Sequence, residues 1–141
     1  MKFWDSSAVA ALLLADSATA TCESELRADA AIIVWWGTAI EVCSAIARRE
    51  REGRLSGRAV IEVLDRLDTL AAQWSEVQPT DRLRTVAQRV LRLHALRAAD
   101  ALQLAAALLA SDEEPAGLDV VTLDSRLADA ARREGFRVSG A

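Results

Sequence analysis

A chain of 141 residues, 52% of them apolar, is long enough to bury a core of its own, so disorder is excluded and one domain over residues 1–141 is expected. No apolar run approaches the roughly 18 residues of a membrane span. The net charge of −4, from 21 acidic and 17 basic residues, argues against a protein that merely coats nucleic acid, but not against an enzyme that holds phosphate through metal ions.

The N-terminal stretch MKFWDSSAVAALLLAD has one Lys and a short apolar run interrupted by Asp5; it reads as a first strand (2–4) and a first helix (about 6–15), not as a signal peptide. Ser17 is expected to cap a second helix running to about 28. The run AIIVWW (31–36) is the clearest buried strand. Gly37 breaks it, and Thr38 is expected to cap a helix ending near Gly53. Ser56 opens the next helix, with Val60, Val63, Leu64, Leu67 and Leu70 at helical spacing. WSEVQP (74–79) is a weak strand closed by Pro79, and Thr80 caps a helix carrying Leu83, Val86, Val90 and Leu93.

A further helix covers about 98–111, and SDEEPAG (111–117) is an exposed loop. DVVTL (119–123) reads as a strand, Asp124 or Ser125 as a cap, and 126–134 as a helix stopped by Gly135. FRV at the end suggests an edge strand. Short apolar runs alternating with longer helices predict an α/β fold with a parallel sheet, and no repeat or linker divides it.

Four acidic residues recur where a strand ends or a helix begins. Asp5 follows KFW, Asp124 follows DVVTL, and Glu41 and Asp100 lie in first turns. Ligands of open parallel sheets bind beyond the carboxyl ends of the strands, so the four are candidates for one cleft. Acidic residues near helix N-termini also complement the helix dipole, and for Glu41 or Asp124 alone that is explanation enough. Asp100 resists it: Leu96, Leu104 and Ala107 share its helix face, where an unpaired charge is costly. Asp5 likewise starts a helix of little polar character.

Crowded carboxylates repel one another, and hard cations such as Mg²⁺ or Mn²⁺ relieve the repulsion. Two such ions about 3.5–4 Å apart activate water and stabilise the leaving oxygen in phosphodiester cleavage. One His and two scattered Cys are too few for a usual zinc site, and a metal-free ribonuclease with paired histidines is excluded. His94 is expected at a helix surface or interface. Cys22 and Cys43 read as small core residues, one of them alternatively a reactive thiol, and suit a reducing cytoplasm.

WDSSAVAALLL, AIEVCSAIAR, LRAADALQLAAAL and VVTLDSRLADAARREGF, in that order and over nearly the whole chain, resemble the PIN-domain family, above all VapC-type toxins of bacterial toxin–antitoxin pairs. The resemblance implies a three-layer α/β/α sandwich with a central parallel sheet and a Mg²⁺- or Mn²⁺-dependent endoribonuclease. By position Asp5, Glu41, Asp100 and Asp124 are the catalytic and metal-holding acids; Ser7 supports the first, and Asp129 is an auxiliary candidate. RNA is the implied substrate, with a cognate antitoxin lying across the site, a homodimer and a cytoplasmic setting as further implications. A housekeeping RNA-processing or flap-type DNA nuclease, or a non-catalytic partner-binding module, are the alternative readings. The Arg-rich stretch ARREREGRLSGR (47–58) is a solvated helix end or a contact for RNA or antitoxin; Trp35 and Trp36 are core, interface or base-stacking residues.

Overall fold

Adjacent strand residues point to opposite faces of a sheet, and here each face carries its own core. In the computed structural model, which describes residues 1–141, strand β1 (Lys2–Trp4) turns Phe3 into one apolar cluster and Trp4 into the other. Strand β2 (Ile32–Trp35) alternates likewise: Ile32 and Val34 join Trp4, while Ile33 and Trp35 join Phe3. β3 (Ser75–Val77), β4 (Asp119–Val121) and β5 (Arg137–Ser139) complete a sheet of order β3-β2-β1-β4-β5. Every neighbouring pair is parallel, so each connection is a crossover, and helices supply them.

Helices α1 (Ser6–Leu13), α2 (Thr19–Ala28), α3 (Thr38–Arg51) and α4 (Gly57–Ala71) close over Trp4 with Val9, Leu12, Cys22, Ile46 and Leu67. On the other face α5 (Asp81–Leu93), α6 (Ala98–Ala110) and α7 (Ser125–Glu134) close over Phe3 with Leu83, Val90, Leu104 and Leu127. The architecture is therefore the expected α/β/α sandwich. Helix α6 is buried through Ala101, Ala105, Ala106 and Ala107, whose small side chains let it lie close against its neighbours. No single helix is long and apolar enough to cross a membrane.

Ser56 and Thr80 cap their helices through the backbone N–H groups of Ala59 and Leu83, as their positions predict. Two other expected caps are not formed. Helix α2 starts after Ala18 with no side-chain cap, two residues beyond Ser17, in a turn where Asp16 accepts the Ala18 N–H at 2.7 Å and the Thr19 hydroxyl accepts the Asp16 N–H. Thr38 is the first residue inside α3 rather than its cap, and its hydroxyl accepts from Gln103 instead. Gly37 does more than end β2: a Cβ there would stand 2.5 Å from the Trp35 indole nitrogen, so only glycine fits. The loop at 111–117 contains one short 3₁₀ turn, Pro115–Gly117. Gly135 ends α7 at φ 103°, and the Phe136 N–H reaches back to the Ala131 carbonyl.

The strand order places β1 and β4 side by side although the chain leaves β1 towards β2 and β3. This is the switch point of an open parallel sheet, where a crevice opens beyond the strand ends. β4 stops at Val121, two residues before the expected end, and Thr122 to Asp124 peel off into that crevice.

Candidate active site

β1 and β4 deliver the first pair of acids. Asp5 leaves β1 with its N–H still bonded to the Val121 carbonyl, and its side chain is 3% exposed. One carboxylate oxygen, Oδ2, accepts from the Ser7 hydroxyl at 2.5 Å, the Thr122 hydroxyl at 2.8 Å and the Ser7 N–H at 3.3 Å. The other, Oδ1, has only a long contact from the Ser6 hydroxyl at 3.4 Å. Burial pushes the Asp5 carboxyl above its ordinary range, and the Ser7 and Thr122 hydrogen bonds pull the other way.

The two hydroxyls also stitch the strand ends together. Ser7 Oγ accepts from the Leu123 N–H at 2.9 Å, and Thr122 Oγ1 accepts from the Asp124 N–H at 3.1 Å. Asp124 itself caps α7, accepting from the Leu127 N–H at 2.9 Å. The modest reading of Asp124 is thus correct as far as it goes, yet capping uses only Oδ1.

Glu41, in the first turn of α3, is half-buried, and Gln103 on α6 donates to its Oε2 at 2.9 Å. The same Gln103 amide donates to Thr38 Oγ1 at 3.2 Å, while its own Oε1 is buried without a partner. Burial raises the Glu41 carboxyl above its ordinary range; Ser6 and Gln103 oppose the rise, and the Asp5 charge adds to it.

Asp100 shows that the four acids meet. Its carboxyl is raised first by burial, then by the charges of Asp124, Asp5 and Glu41, with Arg97 alone opposing. The charges of Asp5 and Asp124, from the ends of β1 and β4, and of Glu41 from α3 thus all act on Asp100 of α6. They stand within reach of mutual repulsion, but as they stand no three of them are arranged to hold a metal ion. The donor set is all oxygen and negatively charged, the chemistry hard divalent cations take.

Other candidates fall outside this cluster. Asp129 is exposed, pairs with Arg132 at 3.5 Å and is not among the charges acting on Asp100. Arg48, Arg49 and Arg51 end α3 about 10–15 Å along its axis from Glu41, at the terminus where cations favour the helix dipole. In that stretch Arg54 pairs with Glu52 and Arg58 with Glu62. The tryptophans divide: Trp35 is core, whereas Trp36 is 50% exposed, edge-on to it. His94 is not on the helix surface but 9% exposed at the end of α5, its Nε2 2.7 Å from Glu134 Oε1. Cys22 is core, its thiol pushed up to about 11 by burial and the nearby Asp16 and Glu25, and Cys43 is half-buried; both are free.

Two participants were missed in the sequence, Thr122 and Gln103. Gln103 carries the same signal as Asp100: together they are the only polar residues of an otherwise apolar helix, three positions apart and so on one face. Thr122 gives little signal, since a threonine at a strand end is ordinary.

The PIN domain family model matches residues 2–133. No curated protein is a significant match in sequence. Among solved structures the chain is similar to FitAcB from Neisseria gonorrhoeae, with a TM-score of 0.68 at 18% identity over 98% of this chain and 96% of that one. It is similar also to PAE2754 from Pyrobaculum aerophilum, with a TM-score of 0.63 at 21% identity over 97% and 82% of the two chains. A third is FitAB bound to an IR36 DNA fragment, with a TM-score of 0.64 at 17% identity over 98% and 93%. These likenesses concern the fold; the match over 2–133, with the sheet order and the crevice acids, shows that the chain belongs to the PIN-domain family.

Proposed function

We propose that the protein is a metal-dependent endoribonuclease, the toxin of a toxin–antitoxin pair, with Asp5, Glu41, Asp100 and Asp124 as its catalytic acids. PIN domains are generally nucleases, and the observation that carries the reading here is Asp100, raised by the charges of all three other acids. Four carboxylates gathered without a resident cationic side chain other than Arg97 favour a divalent cation, Mg²⁺ or Mn²⁺, held directly or through water. When bound, such a cation supplies positive charge to the phosphate and lowers the pKa of an attacking water.

The chain's own groups do the rest. Ser7 and Thr122 fix Asp5 through Oδ2 and leave Oδ1 without a close protein donor. Gln103 fixes Glu41 by one oxygen, and the Leu127 N–H fixes Asp124 by one. Each of these three acids thus keeps an oxygen free while its orientation is set, which is the preorganisation a site needs. In-line attack of water on phosphorus, with departure of the 3′ oxygen, leaves 5′-phosphate and 3′-hydroxyl ends. A cognate antitoxin, a homodimer and a cytoplasmic setting belong to the same reading, through the likeness to VapC-type toxins.

The test is cleavage of single-stranded RNA by the purified protein with Mg²⁺ or Mn²⁺. Asp5→Asn and Asp100→Asn are each expected to lower the rate at least about a hundredfold while the fold survives. Wild-type rates in either folded variant would end the assignment.

A further inference from the structure

The segments that carry Asp100 and Asp124 into the crevice also build a second feature beside it. The turn between α5 and α6, with His94 and Ala95, faces helix α7 across a cavity of about 380 Å³ lined further by Arg126, Asp129, Ala130 and Arg133. Arg126 lies two residues after Asp124, and Arg97, in the same turn as His94, acts on Asp100. The cavity therefore adjoins the acids but is not part of them.

Two of its cations are unpaired. Neighbouring arginines have acidic partners: Arg89 with Glu134, Arg132 with Asp129, Arg137 with Asp119. Arg126 and Arg133 have no ion pair and no side-chain hydrogen bond within the chain, although Asp129 sits between them on α7. Seven residues apart, they stand about 10 Å apart along the helix on nearly the same face, and their long side chains both reach the cavity. Asp129 offsets them only in part, since Arg132 already takes it. The His94 ring also lines the cavity, nine-tenths buried, held by Glu134 through Nε2 and with Nδ1 lacking any partner. Two unpaired arginines thus share one cavity with a single carboxylate, and a free guanidinium is the side chain best suited to phosphate oxygens.

We propose that this cavity binds a backbone phosphate of the RNA strand adjacent to the phosphate attacked at the acids. The assignment of RNA rests on the proposed function; the affinity for phosphodiester oxygens rests on the cavity. Net charge supports it, since a chain of charge −4 must hold a polyanion through local cations. Seated there, the strand would enter the crevice over α7, passing Arg126 on its way to the acids and to Arg97 beside Asp100.

Binding without cleavage separates the two claims. In EDTA, a fluorescein-labelled single-stranded 2′-O-methyl RNA 10-mer is titrated with wild type, Arg126→Ala, Arg133→Ala and the control Arg27→Ala, an exposed residue of α2 on the other face of the sheet. The two cavity variants are expected to weaken binding about tenfold each and to flatten the salt dependence by about 0.7 for every phosphate left without its arginine, with the control unchanged. Circular dichroism and melting checks that each variant is folded; both arginines are exposed, so the folds should persist. Equal affinity and equal salt slope in all four proteins would overturn the site, as would failure of the wild type to bind the strand. Weakened binding in the cavity variants, with no cleavage of RNA by wild type in any divalent metal, would leave the phosphate site standing and remove the nuclease reading.

Discussion

Asp124 caps α7 and, in the proposed nuclease, is one of the catalytic acids, and the two roles can be separated. Its Oδ1 caps α7, a contribution of about 1 kcal/mol that asparagine supplies as well as aspartate and alanine does not. Asp124→Asn should therefore keep the melting temperature and lose most of the cleavage rate, whereas Asp124→Ala should lose both. An Asn variant as active as wild type would reduce Asp124 to a cap. Asp100 makes the electrostatic counterpart. Its carboxyl is raised above its ordinary 3.8, so the folded protein binds that proton more tightly than the unfolded chain. The contribution is then fully present below the ordinary value and lost as pH rises through the folded one. In chelator, Asp100→Asn should melt higher than wild type at pH 7, and the gap should close as pH falls towards 4. A gap independent of pH in thermal melts would mean that the repulsion is absent.

Helix α6 is the element that joins the two sides of the site. It bears Asp100 in its first turn and, three residues on, Gln103, which reaches over to Glu41 and Thr38 on α3. Gln103→Leu keeps the volume but leaves the buried Thr38 hydroxyl and one Glu41 oxygen without their donor, so stability should fall by about 1–3 kcal/mol. Glu41 would lose its anchor at 2.9 Å, and kcat should fall about tenfold; unchanged kcat would make Gln103 a mere core residue. How far the elements were legible follows from the same contacts. AIIVWW announced β2 because burial on both faces needs an unbroken apolar run, and alternation of strands and helices announced the parallel sheet. Asp5 and Asp100 stood out because a charge beside or on an apolar face has few innocent explanations, whereas Glu41 and Asp124 drew notice only in their company, each alone being accounted for by a helix N-terminus. What stayed hidden was largely tertiary: Ser17 and Thr38 look like caps, but α2 begins two residues past Ser17 without one, and the Thr38 hydroxyl, already inside α3, takes a partner from α6 that no local pattern announces. Thr122 was hidden for the same reason, its value lying wholly in the approach of Asp5 from 117 residues away.

At the scale of the whole molecule, the net charge of −4 equals the charge of the four acids, so the rest of the chain is balanced and the excess sits in one crevice. A divalent cation that binds there must stabilise the fold by mass action. At a hundred times its dissociation constant it contributes about 2.7 kcal/mol, a rise in melting temperature of about 5–10 °C for a domain of this size. The rise should be much smaller in Asp100→Asn. Identical melting with Mn²⁺ and with EDTA in wild type would remove the metal from the account.

The switch-point order has a consequence for how the protein comes to life. Asp5 and Glu41 are made early, but their partners arrive with α6 and with the strand that must slot in beside β1. A chain made only as far as β3 holds half a site, and Asp5 lacks its Thr122 hydrogen bond until β4 has been made and has slotted in beside β1. The same division makes the proposed site separable: two fragments parted between β3 and α5 would each be inert, and activity would return only on their reunion.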